Sequence, residues 1–414
     1  MQASLILVLG ACVMRTEGLL FKTKNRPLAK EYDFIVVGGG SAGAVVASRL
    51  SEISNWTVLL LEAGGDELFV SQMPMLVAYT IPTALSWDFE TEVTPGVCMG
   101  LKGGRCPWPR GKVLGGTSVL NYMVYARGNR NDYNLWEALG NPGWGYDEVL
   151  KYFMKSEDQQ NPYLARGPYH GVGGPLTISE SPFRTPLALA YLQAAQTLGF
   201  SIRDTNGQRH SGFQFAQGTL REGARCSTNK AFLGPETRQR SNLQISLRST
   251  VTRLLMQGRV VAGVEVSRDG RRHRIRARRE ELNIPVVEDL PVGYNLHDHI
   301  ALGGLTFLVN QSVSLIESEI SNLRSILKWL TKGSGPLSVL GGVEAIGLAS
   351  SSLNPYPDFV DWPDLELLFA PGSTNSDEGL IGLSHGLSEE VYRKVFLPIK
   401  DVPSFTIFPV GTTS

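Results

Sequence analysis

The stretch YDFIVVGGGSAGAVVASRL, Tyr32 to Leu50, decides the fold. Tyr32 to Val37 is a short apolar run ending in glycines, and Ser41 to Leu50 is a run of small and apolar residues with a helical pattern. Val58 to Leu61 (VLLL) follows as a second short apolar run, so the order reads strand, helix, strand. Between the first two, Gly38, Gly40 and Gly43 fit G-x-G-x-x-G, with Ser41 and Ala42 inside the pattern. A lone match is weak. Here it follows a strand, opens a helix, and is answered by Glu62 at the end of the next strand, 22 positions after Gly40. That context supplies what a dinucleotide requires: a tight turn, backbone close to pyrophosphate, a helix N-terminus toward negative charge, and a carboxylate for ribose hydroxyls. The competing reading is a glycine turn in an ordinary α/β unit. Glu62 disfavours a 2′-phosphate, but the turn alone does not choose between NAD and FAD.

Outward from this stretch, 414 residues with 42% hydrophobic content supply more than one core. Lys and Arg total 39 and Asp and Glu total 39, and the only basic run is Arg271-Arg272-His273-Arg274, so the electrostatic footprint of a nucleic-acid binder is missing. Glycine, at 45 residues, exceeds the ~7% average and sits in doublets and triplets, which suggests backbone approached closely by a ligand. Leu5 to Met14 has the length of a signal-peptide core and falls short of the ~20 residues of a spanning helix. Residues 1–20 therefore read as a leader and the protein as secreted, although the leader lacks Lys or Arg before its apolar core and has no clean cleavage site. A trimmed or wrongly assembled N-terminus is the alternative. Beyond Cys12 in the leader, Cys98 and Cys106 bracket a glycine-rich loop and can pair in a secreted chain, leaving Cys226 as an odd thiol; three reduced cysteines are the alternative.

Further along, Asp147 to Met154 and Thr185 to Leu198 read as helices, the second with Thr185 as N-cap, Pro186 at the first helical position and Gly199 past its end. From Leu243 to Arg278 the pattern is β, in the runs LQISL, VTRLLM, VVAGVEV and RRHRIRA, with Asp269-Gly270 as a tight hairpin turn. Ile316 to Leu330 reads as one amphipathic helix ending near Gly333, and Leu365 to Phe369 and Phe405 to Val410 read as strands.

The segment from Gly96 to Arg130 is too long and too apolar for an ordinary connection. Its core, GKVLGGTSVLN (Gly111 to Asn121), continuing through YMVYARG to Gly128, resembles the first signature of the glucose–methanol–choline (GMC) flavin oxidoreductases. The likeness runs back through Cys106-Pro-Trp-Pro-Arg110 and forward through Trp136 and Pro142-Gly-Trp144, is strongest with the insect glucose dehydrogenase branch, and covers nearly the whole chain after Glu31. It implies FAD rather than NAD, since the Gly111–Asn121 segment has no role in an NAD enzyme. It also implies cofactor contacts at Val113, Gly115, Gly116, Thr117, Asn121, Tyr122, Met123 and Val124. From the residues themselves, Gly115 and Gly116 permit backbone donors to face phosphate or flavin oxygens, and Asn121 can offer its amide to the isoalloxazine rim. NLQISLRSTV (Asn242 to Val251) resembles the strand whose last valine meets the adenine, which assigns Val251. Pro291 to His299 (PVGYNLHDH) resembles a further family segment; two histidines two apart, with no third ligand nearby, orient a loop or pack against a cofactor more readily than they bind metal.

The resemblance implies an FAD-dependent alcohol or sugar dehydrogenase or oxidase: hydride passes from the substrate carbon to the flavin, a histidine base takes the hydroxyl proton, and oxygen or a quinone reoxidises the flavin. Two departures bear on this. The family's histidine lies in a C-terminal segment, and none of His170, His210, His273, His297, His299 and His385 sits in a sequence like it, so no catalytic residue is assigned and the chain as written is expected not to oxidise alcohols. At Arg279-Glu280-Glu281-Leu282 two ends that flank an inner strand in relatives are joined directly, which reads as a skipped segment rather than an adaptation and would cost several kcal/mol out of a total of ~5–15. The architecture expected is α/β: a Rossmann-like FAD-binding domain from 31–154 and 226–300, and an α+β substrate domain from 155–225 and 300–414. The alternative function is a cofactor-binding remnant without catalysis.

Overall fold

The computed structural model describes residues 26–258, 260–279, 298–299, 301, 305–356, 361–376, 382, 384–400 and 402–411. The leader, the joined ends from Glu280 onward and the Pro291–His297 part of the family-like segment lie outside the described residues.

Val58–Leu61 is apolar at every position because both of its faces are covered. Val58 and Leu60 pack against Ala44 and Ala47 of the helix Ser41–Leu50, while Leu59 and Leu61 turn to the opposite face against Tyr32, Ile35, Val264, Val266 and Ile275. Phe34–Val37 and Leu243–Ser246 flank it in parallel, with Phe34 and Leu243 both opposite Val58. A continuous apolar run is what a parallel strand needs at such a position, and each fully buried leucine contributes about 1.5–3 kcal/mol. The covering layer is a second sheet, in the order Glu31–Tyr32, Arg271–Ala277, Val260–Arg268, Ser249–Gln257. Its hairpin turns at Asp269 and Gly270 as expected, with φ of 51° and 72°.

Tyr32 to Val37 is not the single strand the apolar run suggests. It breaks at Asp33, so that Glu31–Tyr32 joins the covering sheet and Phe34–Val37 the parallel one. The cause is the Asp33 carboxylate, which accepts hydrogen bonds from the Thr57 amide and hydroxyl, both at 2.8 Å, and from Arg279 at 3.1 Å. The Thr57 amide, more than the neighbouring arginines, holds this carboxyl down at about 2.

The remaining chain is α+β. A five-stranded antiparallel sheet runs in the order Thr306–Leu308, Ser404–Gly411, Leu365–Ala370, Ala345–Ala349, Gly212–Phe215. The helix Pro186–Thr197 lies on it through Ala188, Leu192 and Ala195. Thr185 stands at that helix's N-cap position, but its amide and hydroxyl both bond Glu344. The helix expected over Ile316 to Leu330 is two, Glu317–Ile320 and Leu323–Lys332. Asn322 divides them: its Oδ1 accepts from the Ser325 amide while its Nδ2 donates to the carbonyls of Ser318 and Glu319, all at 2.8 Å. One side chain thus ends the first helix and starts the second. The helix Arg130–Ala138, which apolar spacing did not announce, starts from a reciprocal cap between Asn129 and Asp132.

A buried charged group ties these parts together. Arg127 bonds Glu157, whose other oxygen lies 2.9 Å from His170 Nδ1, and His170 Nε2 lies 2.8 Å from Asp204. With a carboxylate at each ring nitrogen the imidazole is doubly protonated. Burial alone would lower its pKa, but the bonds to Asp204 and Glu157 outweigh burial and hold it at about 9. Since that lies above the unfolded value of about 6.5, the imidazolium's stabilisation is complete below pH ~6.5 and is lost as pH rises through about 9. Denaturant unfolding of the wild type is therefore expected to show falling stability across that window. His170→Gln is expected to lose about 3–5 kcal/mol at neutral pH by removing the cation that faces both Glu157 and Asp204, and to lose the pH slope with it.

Candidate cofactor site

At the carboxyl ends of the parallel strands, Val37, Leu61 and Ser246 stand side by side, and the chain passes from them into Gly38, Glu62 and Leu247. Ligands of open α/β sheets bind outside this edge. Gly38 has φ of 90°, and its N–H donates to the Leu61 carbonyl at 2.8 Å. A Cβ on Gly43 would lie 1.9 Å from the Gly38 carbonyl oxygen, so only glycine lets the helix close on the turn. The helix starts at Ser41 without a side-chain cap, and Ser41 and Ala42 are exposed, so its first N–H groups are free to face an anion.

A second glycine turn is laid across the first. Gly115 and Gly116 have φ of 99° and 55°, the Gly115 N–H donates to the Gly39 carbonyl at 2.7 Å, and the Leu114 N–H donates to Gly65 at 2.9 Å. Val113 bridges Gly65 in parallel, and the Thr117 hydroxyl accepts from the Gly111 amide at 3.1 Å. A Cβ on Gly116 would stand 2.6 Å from Gly40 Cα. Glu62 sits beneath both turns: one carboxylate oxygen accepts from the Gly39 amide at 2.8 Å and the other from the Gly64 amide at 2.7 Å. Burial pushes its carboxyl up, against the pull of the Gly64, Gly39 and Ala63 amides. The expectation of a carboxylate offered to a ligand is thus qualified, since Glu62 is buried and first of all joins the turns; its remaining lone pairs are still acceptors.

From Thr117 the chain continues to an exposed Asn121, whose Oδ1 accepts from Arg225 Nη1 at 2.8 Å and from the Met123 amide at 3.2 Å. Met123 is buried with φ of 62°, Val124 bridges Gly218, and the Tyr122 hydroxyl lies 2.8 Å from His385 Nε2. Val251 lies opposite Val266 on a strand whose first residue, Ser249, donates its amide to the Glu62 carbonyl at 2.8 Å. The structure thus brings Gly38, Gly40, Ser41, Ala42, Gly43, Glu62, Val113, Gly115, Gly116 and Thr117 to one place. Asn121 to Val124 extend from it, and the strand that carries Val251 starts beside Glu62.

Residues that sequence reading did not single out brace this place from behind. Ser118 and Thr228 exchange a hydrogen bond at 3.0 Å, the Asn229 amide donates to Glu67 at 2.8 Å, and Arg238 pairs with Asp66 at 2.9 Å. The available signal was Ser227, which caps the short helix Thr228–Phe232. At the rim, Cys98 and Cys106 form a disulfide, and Cys226 is a free, buried thiol pushed up by that burial. The loop this disulfide closes bonds the segment that carries His385, from the Lys102 amide to the Gly386 carbonyl at 2.8 Å and from the Ser388 amide to the Gly100 carbonyl at 3.0 Å. Among the described residues, no group of three or more His, Cys, Asp or Glu side chains is gathered as a metal would need, and no helix is long and apolar enough to cross a membrane.

The family model for the GMC oxidoreductases matches residues 32–301, a span that contains both glycine turns. The chain belongs to this family. Glucose dehydrogenase [FAD, quinone] of Drosophila melanogaster is 41% identical over 369 residues, which cover 82% of this GMC chain and 58% of the relative. Ecdysone oxidase of Bombyx mori is 32% identical over 393 residues, 87% of this chain and 58% of that one. The chain thus spans less than two thirds of the length of either. Among solved structures, pyridoxine 4-oxidase from Mesorbium loti superposes with a TM-score of 0.72 at 24% identity, over 92% of this chain and 72% of that one, which establishes the shared fold.

The crossing of the turns predicts an uneven tolerance to methyl groups. Gly116→Ala combines a left-handed backbone with a clash against Gly40 and is expected to cost roughly 2–5 kcal/mol in urea unfolding. Gly65→Ala, whose Cβ would meet nothing within 4 Å, is expected to stay within about 0.5 kcal/mol of the wild type.

Proposed function

We propose that this GMC chain binds FAD and is an FAD-dependent oxidoreductase acting on the CH–OH groups of alcohols or sugars. The observation that carries the reading is the crossing of the Gly111–Gly116 turn over the Gly38–Gly40 turn. It leaves an uncapped helix N-terminus, exposed Ser41 and Ala42, and a glycine at 40 whose added Cβ would lie 3.9 Å or more from any protein atom. A diphosphate fits such a cradle: its charge meets the N–H groups of the helix, and the missing side chains admit its oxygens to the backbone.

On this reading Gly38, Gly40, Ser41, Ala42 and Gly43 hold the pyrophosphate, Glu62 accepts from ribose hydroxyls through its remaining lone pairs, and Val251 lies along the adenine. Val113, Gly115, Gly116 and Thr117 line the cofactor's middle, and Asn121, Tyr122, Met123 and Val124 border the flavin. The isoalloxazine ring, when bound, supplies the acceptor for the hydride released from the substrate carbon. The protein's part is to hold the ring, to keep water from it, and to bring an alcohol against its open face. The hydroxyl proton needs an acceptor of near-neutral pKa. No histidine of this chain is assigned that role; among the described histidines, His385 is the one bonded to the motif, through Tyr122.

The residues 31–154 and 226–300 form the cofactor part in this proposal, and 155–225 with 300–414 the substrate part. A quinone or oxygen reoxidises the flavin, and the quinone in the name of the Drosophila relative favours the former. The disulfide between Cys98 and Cys106 supports a secreted protein, since such bonds persist in oxidising compartments.

The test is the absorbance of the purified chain, expressed with FAD, between about 350 and 500 nm, followed by dye reduction with a panel of alcohols and sugars. Twin flavin bands and substrate-dependent dye reduction are expected. Flavin bands without reduction of any dye leave the cofactor-binding remnant, and a colourless, folded protein refutes the reading altogether. Gly40→Ala separates folding from binding: it is expected to leave urea unfolding within about 0.5 kcal/mol of the wild type, while weakening FAD at least ~10-fold by filling the cradle.

A further inference from the structure

The guanidinium of Arg225 lies beneath the Asn121 loop with 1% of the residue exposed. Its Nε donates to the Ser71 carbonyl at 2.8 Å, and its Nη1 donates to the Ser118 carbonyl at 3.0 Å and to Asn121 Oδ1 at 2.8 Å. Its Nη2 is buried with no hydrogen-bond partner, and among the described residues no carboxylate pairs with it. The nearby Lys230, half-buried, donates to the Arg225 carbonyl at 2.9 Å; loss of solvent lowers its pKa, Glu67 pulls it back up, and Arg225 and Arg221 push it further down. A buried cation without a carboxylate is costly, and such groups are concentrated where a charge is used.

The two groups that touch the Asn121 side chain are the Arg225 guanidinium and the Met123 amide, and both can only donate. The atom between them must therefore be the amide oxygen, and the orientation of this side chain follows from the donors around it. The Nδ2 group, with two N–H donors, is the other end; among the described residues it makes no hydrogen bond, and Asn121 is exposed. Drawing electron density toward the guanidinium also makes those N–H groups stronger donors.

We propose that Arg225 is a positioning residue that locks Asn121 with its amide nitrogen outward, as a polarised donor to the flavin rim, and that places a buried positive charge behind that contact. The proposal rests on the FAD reading above. A donor backed by a cation favours the cofactor when it carries the two electrons received from substrate, and so raises its midpoint potential. A purely structural arginine would not.

Two measurements test it. The first needs no cofactor: in Asn121→Asp the loop gains a carboxylate for Arg225 and loses the Nδ2 donor. The apo protein is expected to melt about 2–4 °C higher than the wild type, while FAD binds at least ~10-fold more weakly; an unchanged or lower apo melting temperature overturns the lock. The second uses the FAD-loaded full chain and reference dyes. Arg225→Met is expected to move the midpoint potential to a more negative value, Arg225→Lys to restore most of the shift, and neither to move it further in an Asn121→Ala background. An unchanged potential in Arg225→Met, or additive shifts with Asn121→Ala, overturns the relay. A wild-type chain that takes up no FAD defeats the cofactor reading instead, and the apo melt still decides the contact between Arg225 and Asn121.

Discussion

Gly116 passes Gly40 so closely that a single carbon on the former would stand 2.6 Å from the backbone of the latter. The rest of the site follows from that approach. Because the two turns touch through backbone, the amide of Gly115 can reach the carbonyl of Gly39, and the amide of Gly39 can reach Glu62 below. Glu62 in turn bonds Gly64, whose own position admits no side chain against the Lys112 carbonyl. A loop with almost no periodic pattern is thereby held by backbone hydrogen bonds to its neighbours and by single bridges in place of a ladder. The helix N-terminus opens toward space because the chain that crosses it has no side chain there to cover it.

Behind this backbone layer the protein keeps two kinds of buried charge, and they serve different ends. Around His170 each positive group faces carboxylates, with Arg127 on Glu157 and the imidazole between Glu157 and Asp204, so the group balances internally and fastens the Tyr125–Arg127 segment to the sheet of Glu157–Gln159 and Leu176–Glu180. Around Arg225 the balance is absent. Glu67, the acid that acts on it at longer range, spends one oxygen on Ser227 and Asn229 and leaves the other without a partner. Burial brings the Arg225 guanidinium down to about 10, which still leaves it charged at neutral pH.

Much of this was legible in the sequence where local spacing carries the physics. The strand–glycine–helix–strand order, the acidic residue ending the second strand and the Asp269-Gly270 hairpin depend on neighbours within a few dozen residues, and the structure has them as read. The break at Asp33 was not legible, because its cause is Thr57, 24 positions on, which an apolar run cannot announce. The division at Asn322 was nearer to hand: an asparagine within an amphipathic run is a capping residue, and its two carbonyl bonds show that it served both helices. Arg225 was beyond reach by any pattern, since it meets Asn121 across 104 positions and looks, in the sequence, like an ordinary arginine before a small polar cap.

The rim of the site has the same dependence on distance. Tyr122 belongs to the signature segment, yet its hydroxyl is met by His385, which arrives from the far part of the chain. What brings it there is a backbone pairing of the Cys98–Cys106 loop with Gly386, Leu387 and Ser388. The disulfide shortens the excursions open to that loop, and the loop in turn limits where the imidazole can lie. Two stretches 263 positions apart therefore meet at one aromatic hydroxyl, and the disulfide loop braces the later of them. The inner part of the site is built from glycine backbone tied together by the Glu62 carboxylate and the Thr117 hydroxyl. The rim is built from side chains, and there substitutions can change what approaches the cofactor without disturbing the backbone that holds it.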